Sequence, residues 1–145
     1  MKIKYTLMLL LLATSFAAAA KPIAGLETFK FTPDLQKVLT PIEKAIWQTK
    51  PADRASWEAK LLATLESKKT TADGKIIILR RLLPSVISEK SIPVVAPLLL
   101  DEKLANDARG VLQSYPGVAA EKALLDALAK AKGKTDRRQR SIRHL

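Results

Sequence analysis

Apolar residues recur at spacings of three and four along most of the chain, and no stretch shows the strict alternation of a half-buried strand. The pattern therefore predicts an all-α protein. One apolar helical face runs from Leu35 to Ile46 and contains Pro41. Because proline removes a backbone donor, we expect two short helices here, the second capped by Thr40 with Glu43 completing a capping box.

Two further helices are predicted between residues 53 and 86, with a polar break at 67–71 between them. Asp53 is the expected N-cap of the first helix. The apolar run at 76–79 predicts that the second helix is buried on more than one face. The two stripes consist of Trp57, Leu61, Leu62 and Leu65, and of Leu79, Leu82, Leu83 and Val86.

The next helix is expected to start at Ser88 or Ser91 and to stop near Asp101, with Pro97 bending or shortening it. Its partner ends at the turn formed by residues 115–117. The stripes are Val94, Val95, Leu98 and Leu99 in the first of these helices, and Leu104, Ala108, Val111, Leu112 and Tyr115 in the second.

A last apolar stripe is predicted to close at Gly133, and residues 136–145 are expected to begin one more basic helix. The stripe consists of Ala120, Leu124, Ala127, Leu128 and Ala131.

These segments repeat along the chain. Aligning the first helices at intervals of 33 and 30 residues places Leu65, Leu98 and Leu128 in register, and aligning the second helices at 29 residues matches Arg80 with Arg109 and Leu83 with Leu112. An interval of about 30 residues that holds two antiparallel helices is typical of stacked helical hairpins. The expected fold is a short right-handed α-solenoid with an N-terminal helical cap.

The segment SEKSIPVVAPLLLDEKLANDARGVLQSYPGVAAEKALLDALAKAKGK, residues 88–134, resembles HEAT-like repeats of bacterial exported proteins, in which a proline-containing first helix precedes an Ala- and Arg-rich second one. The resemblance covers residues 53–145 and leaves 21–52 as linker and cap. It implies that Asp101 and Arg109, with Arg80 one repeat earlier, help neighbouring repeats to stack. The last repeat lacks a complete second helix, so the protein either ends in a truncated repeat or belongs to a longer array.

The first twenty residues are typical of a secretory signal. Lys2 and Lys4 precede an almost wholly apolar stretch at 5–16, and Ala18 and Ala20 suit a cleavage site. An uncleaved anchor is the alternative, although the apolar stretch is shorter than the roughly 20 residues that cross a bilayer. We expect a periplasmic or secreted protein that begins at Lys21.

Cleavage would leave 125 of the 145 residues, which suits one domain. Without cysteine the chain has no disulfide to stabilise it. The net charge falls from +11 to +9 on cleavage, and +6 of that lies in residues 130–145. The basic residues of this tail are Lys130, Lys132, Lys134, Arg137, Arg138, Arg140 and Arg143.

The residue inventory argues against familiar catalytic chemistry. His144 is the only histidine and there is no cysteine, which excludes zinc sites of the His/Cys kind and Cys-His nucleophiles. The carboxylate pairs Asp101/Glu102 and Glu121/Asp126 are expected on solvated faces, and the five glycines form no phosphate loop. We expect no catalytic residue, cofactor or metal.

Two tryptophans flank the turn at Pro51. Trp47 and Trp57 could form an aromatic binding surface, but we expect them to fill the junction between the cap and the first repeat.

The main functional hypothesis is a non-catalytic scaffold whose second helices present Arg80, Arg81, Asn106 and Arg109 to a protein partner. The alternative is electrostatic binding of nucleic acid or an anionic envelope polymer through the basic tail, which would weaken with salt. An enzyme would rest on fold analogy alone. Self-association through the exposed C-terminal repeat edge is a further expectation.

Overall fold

The described part of the chain contains seven α-helices, one π-helix and several short 3₁₀ segments. The computed structural model of the chain describes residues 20–142, with side chains for residues 20–133. The part described is all-helical and contains no strand, which confirms the prediction of an all-α protein. The helices are α1 (Ala24–Glu27), α2 (Leu35–Trp47), α3 (Arg54–Glu66), α4 (Ala72–Ile77), α5 (Ile92–Val95), α6 (Ala105–Ser114) and α7 (Val118–Ile142).

One apolar cluster runs through the described chain from Leu26 to Ala120. The predicted stripes supply most of it: Leu61 and Leu65 of α3 are buried, as are Leu79, Leu82, Leu83 and Val86. Ile77 and Ile78 are buried too, while Ile76 is half-buried, so burial on more than one face is confirmed for this segment.

Neighbouring elements pack side by side. Helix α4 continues into a π-helix (Ile78–Leu82) and a 3₁₀ turn (Leu83–Ser85), and α6 packs against the π-helix. Helix α5 continues into a 3₁₀ segment (Ala96–Leu100), and α7 packs against that segment. Helix α6 also contacts Ala96–Leu100 and α7, which joins the two sets of helices into one body.

The prediction that Pro41 divides its segment was wrong. Helix α2 runs through it without a break, so Thr40 caps nothing. Pro41, Thr40 and Lys37 are all exposed, and the carbonyl that loses its amide partner lies on a side open to water. The buried Leu39 and Ile46 hold the two halves against the same core.

Pro97 has the expected effect. The α-helical hydrogen bonding of α5 ends at Val95, and the chain continues as a 3₁₀ segment up to Asp101. A short 3₁₀ turn (Glu89–Ser91) precedes α5, and Ser88 caps that turn by accepting the N–H of Lys90. Asp53 holds the predicted N-cap position of α3, although its side chain makes no capping hydrogen bond.

Helix α7 does not stop at Gly133 as predicted. It continues to Ile142, so the residues expected to begin a separate helix belong to α7, and 143–145 lie outside the described residues. Glycine lowers helix stability by only about 1 kcal/mol and does not by itself end a helix. Leu128 and Ala131 of the predicted stripe are exposed, and between residues 118 and 132 the half-buried or buried positions of α7 are Ala119, Ala120, Ala123, Leu124 and Ala127.

The N-terminal segment lies against the loop between α3 and α4. The amide of Ile23 donates to Oγ1 of Thr64 at 2.8 Å, and the amide of Thr71 donates to the carbonyl of Glu27 at 2.9 Å. Leu26 is fully buried, and Gly74 of α4 lies directly beneath its carbonyl. The predicted cap is therefore part of the same core as the helices that follow.

Candidate interaction face

Two consecutive arginines of the π-helix extend to different neighbouring helices. A π-helix has a wider turn than an α-helix and is often found at functional sites. Its apolar residues Ile78, Leu79 and Leu82 are buried, so Arg80 and Arg81 lie on the exposed side. Arg80 contacts α6, and Arg81 contacts α2.

Arg80 forms a two-pronged ion pair with Asp107. Its Nε donates to Oδ1 at 2.9 Å and its Nη2 donates to Oδ2 at 3.3 Å. The hydrogen bond and the negative charge of Asp107 raise the pKa of the Arg80 guanidinium above its ordinary value. The arginine side chain is 58% exposed and the aspartate side chain 12% exposed, so the guanidinium remains accessible from solvent.

The second ion pair joins the π-helix to α2. Nη2 of Arg81 lies 2.8 Å from Oε1 of Glu43, whose side chain is 12% exposed. In both pairs the acid is the more buried partner and the arginine covers it. The two pairs therefore link α2, the π-helix and α6 in sequence.

Helix α6 extends this polar surface. Nη2 of Arg109 donates to Oδ1 of Asn106 at 3.3 Å, and both residues are exposed. A shallow depression of about 220 Å³ lies between the π-helix and α6, lined by Arg80, Asn106, Asp107 and the apolar Leu79 and Val111, among others. We call the set Glu43, Arg80, Arg81, Asn106, Asp107 and Arg109 the ion-pair face.

All four residues predicted to bind a partner are exposed, and each belongs to this face. What the sequence analysis missed is that Glu43 and Asp107 neutralise two of the arginines. The spacing of 27 residues between Arg80 and Asp107 is close to the repeat interval, which is the signal that could have indicated the pair.

The stacking role that the family resemblance implies for Asp101 and Arg109 is not what the structure has. Oδ1 of Asp101 accepts the amides of Lys103 at 2.8 Å and Leu104 at 3.2 Å, and so holds the turn that leads into α6. Arg109 contacts Asn106 of its own helix. Of these three residues, Arg80 is the one whose ion pair joins it to another helix, through Asp107 of α6.

The predicted anion-binding tail lies on α7. Lys130 and Lys132 are exposed, and the helical backbone also includes positions 134, 137, 138 and 140. Arg143 and His144 lie outside the described residues. The structure therefore makes the beginning of this tail an extension of the helix that packs against the body.

The two tryptophans do not fill a junction together. Trp47 is 74% exposed, which corrects the prediction for that residue. Trp57 is half-buried, and Nζ of Lys60 lies 5.1 Å from its ring centroid in a cation–π contact. The turn at Pro51–Asp53 separates α2 and α3.

Both carboxylate pairs are exposed, as predicted. Nζ of Lys122 donates to Asp126 at 2.8 Å within α7, and this hydrogen bond lowers the pKa of Asp126 and raises that of Lys122. Within the described residues no group of three or more metal-ligating side chains comes together. No helix in the same part of the chain is long and apolar enough to cross a bilayer.

Comparison with protein-family models, with curated proteins and with solved structures finds no match to this chain.

Proposed function

We propose that this chain is an exported, non-catalytic scaffold with a HEAT-like α-solenoid arrangement, and that it binds a protein partner through the ion-pair face. The observation that carries this proposal is the pair of ion pairs, Glu43–Arg81 and Arg80–Asp107, that run across three neighbouring helices on one exposed surface.

The packing order supports a solenoid arrangement. The π-helix and α6 belong to the second helices of two consecutive predicted hairpins, and they pack against each other. Ala96–Leu100 and α7 belong to consecutive first helices, and they also pack against each other. Leu83 and Leu112, which the repeat aligns 29 residues apart, are both buried. Side-by-side packing of like helices is what stacked hairpins require.

The charge pattern of the face favours a protein partner over a polyanion. Arg80 and Arg81 are already paired with carboxylates, so a phosphate polymer would compete with Asp107 and Glu43 for them. A protein surface can instead offer acids and donors that complement both signs. Arginine is also enriched in protein interfaces because its planar fork makes several hydrogen bonds.

The N-terminal packing is compatible with export and cleavage. Lys21 and Pro22 are exposed, and among residues 20–142 Ile23 is the first that donates a hydrogen bond into the body. Cleavage after Ala20 would leave this contact intact. The mass of the exported protein tests this cleavage site, and we expect that mass to correspond to a chain that begins at Lys21.

Site-specific photo-crosslinking in exporting cells tests the face. A photoreactive residue at position 106 or 109 is expected to capture a partner, and one at Lys60 of α3 is the control because α3 contributes nothing to the face. Capture is expected to persist in high salt. It is also expected in a chain that ends at Ala129, since the buried and half-buried residues of α7 from Ala119 to Ala127 all remain.

Equal capture from position 60 and from position 109 would contradict a defined face. Loss of capture in high salt, or on removal of residues 130–145, would move binding to the basic tail. That alternative is favoured by one observation: α7 continues as a helix to Ile142 and presents Lys130 and Lys132 to solvent. Clustered cations of this kind attract phosphate or anionic polymers in a strongly salt-dependent way.

A further inference from the structure

Apolar side chains on α7 are more exposed than the side chains at the equivalent repeat positions earlier in the chain. Leu65, Leu98 and Leu128 occupy equivalent positions at intervals of 33 and 30 residues. Leu65 is 2% exposed and Leu98 is half-buried, whereas Leu128 is 52% exposed. The surface around Leu128 is therefore more exposed than the equivalent surfaces at Leu65 and Leu98.

Positions one and two turns before Leu128 on α7 show the same difference in exposure from their equivalents. Val95 is fully buried, and its equivalent Leu125 is 66% exposed. Glu58 and Ser91 are both buried and hydrogen-bonded to each other, and their equivalent Glu121 is exposed. The open side of α7 thus carries the residues of a packed helix, and no other helix within residues 20–142 lies beside it.

These exposed positions form one stripe along α7. Val118, Glu121, Leu125, Leu128 and Lys132 recur at alternating intervals of three and four residues, as the contact positions of a two-stranded coiled coil do. At about 100° per residue the stripe is centred roughly 130° away from the buried Ala120 and the half-buried Ala123, Leu124 and Ala127. A second helix could therefore lie on the stripe without meeting the body.

We propose that the occupant is a second copy of this chain, with the two α7 stripes packed antiparallel. The stripe is symmetric about a point between residues 126 and 127: Leu125 and Leu128 lie on either side of it, and Glu121 and Lys132 lie four residues further out. In an antiparallel pair Leu125 packs against the partner's Leu128, and Glu121 lies opposite the partner's Lys132.

The charges select both the orientation and the occupant. A parallel pair would place Glu121 beside the partner's Glu121 and Lys132 beside the partner's Lys132, which repel. The antiparallel pair makes two opposite-charge contacts, and it keeps the two basic ends of α7 apart. A surface that carries its own complement under a two-fold axis is the property of an isologous dimer contact.

The inference goes beyond the proposed function and does not depend on the ion-pair face. Sedimentation equilibrium of residues 21–145, which include every described helix, tests it. The average mass is expected to rise towards twice the monomer mass with concentration. Leu125→Asp is expected to raise the dissociation constant by at least about tenfold, because it leaves a charge in the apolar contact.

A charge swap tests the register. Glu121→Lys and Lys132→Glu are each expected to weaken the dimer several-fold, and the double variant is expected to recover most of the loss. Glu102→Lys makes the same charge change at an exposed site outside α7 and is the control. Circular dichroism verifies that each variant is helical.

Cysteine pairing reports the orientation directly, since the chain has no cysteine of its own. A mixture of Leu125→Cys and Leu128→Cys chains is expected to form the mixed disulfide in preference to either like pair. A chain that stays monomeric at all accessible concentrations, a dimer that Leu125→Asp leaves unchanged, or a predominance of Leu125→Cys like pairs would overturn the proposal.

Discussion

The buried carboxylate of Glu58 joins α3 to Ser88, which caps the short 3₁₀ turn before α5. Oε1 of Glu58 accepts the backbone amide of Ser88 at 2.8 Å and its hydroxyl at 2.8 Å, and it accepts the hydroxyl of Ser91 at 2.6 Å. Glu58 is 3% exposed and Ser91 is fully buried. A carboxylate of α3 therefore satisfies the backbone amide at the start of the short 3₁₀ turn that leads into α5.

Replacing Glu58 by alanine is expected to destabilise the fold by about 3 kcal/mol. The substitution leaves the amide of Ser88 and the hydroxyls of two serines without their acceptor, and each buried donor left unsatisfied costs about 1–3 kcal/mol. Urea denaturation followed by circular dichroism measures the loss. Glu66→Ala, in the same helix but exposed, is the control. A loss as small as that of the control would show that water replaces the carboxylate.

Gly74→Ala is expected to destabilise the protein by about 1–3 kcal/mol or more. A Cβ at this position would overlap the carbonyl oxygen of Leu26 and lie 3.1 Å from Cγ2 of Thr70. The N-terminal segment would have to move off α4 to make room. Hydrogen exchange is expected to show faster exchange of the Ile23 and Thr71 amides in the variant, and unchanged exchange there would count against this packing.

Gly110→Ala, in contrast, is expected to stabilise the protein. Gly110 lies inside α6, and a Cβ there would meet no atom within 4 Å. Alanine is favoured over glycine in a helix interior by about 0.5–1 kcal/mol. The thermal midpoint is therefore expected to rise by a few degrees. A decrease would mean that a neighbouring chain approaches the backbone of α6 at this point.

The two tryptophans are expected to differ in accessibility. The Trp57→Phe variant, which retains Trp47, should be quenched by acrylamide more strongly than the Trp47→Phe variant, because Trp47 is 74% exposed and Trp57 half-buried. Acrylamide is neutral, so Lys60 beside Trp57 does not bias the comparison. Equal quenching would indicate that Trp47 is covered in solution.

Much of the helical pattern follows from the sequence because it is local. Spacings of three and four residues place Leu61 with Leu65 and Leu79 with Leu83 on buried faces, whatever lies opposite them. Pro97 ends regular α-helical hydrogen bonding because its ring and its missing donor act within its own turn. These elements could be predicted without knowing which residues pack against them.

Predictions of helix ends from single residues failed where packing or solvent compensated for a residue of low helix propensity. Pro41 and Gly133 are both helix breakers by propensity, and both lie inside continuous helices. In α2 the two halves share a core through Leu39 and Ile46, which offsets the one lost hydrogen bond. Propensity alone cannot weigh such a contact, because it forms with residues distant in sequence.

The sequence by itself determined the all-helical class, the positions of most apolar stripes and the four exposed residues of the second helices. Only the tertiary structure decided that Arg80 pairs with Asp107, Arg81 with Glu43 and the buried Glu58 with Ser88. These pairs are 27 to 38 residues apart. Their members meet because helices pack at fixed offsets, and the free energy that sets those offsets comes from the buried core as a whole and from no single segment.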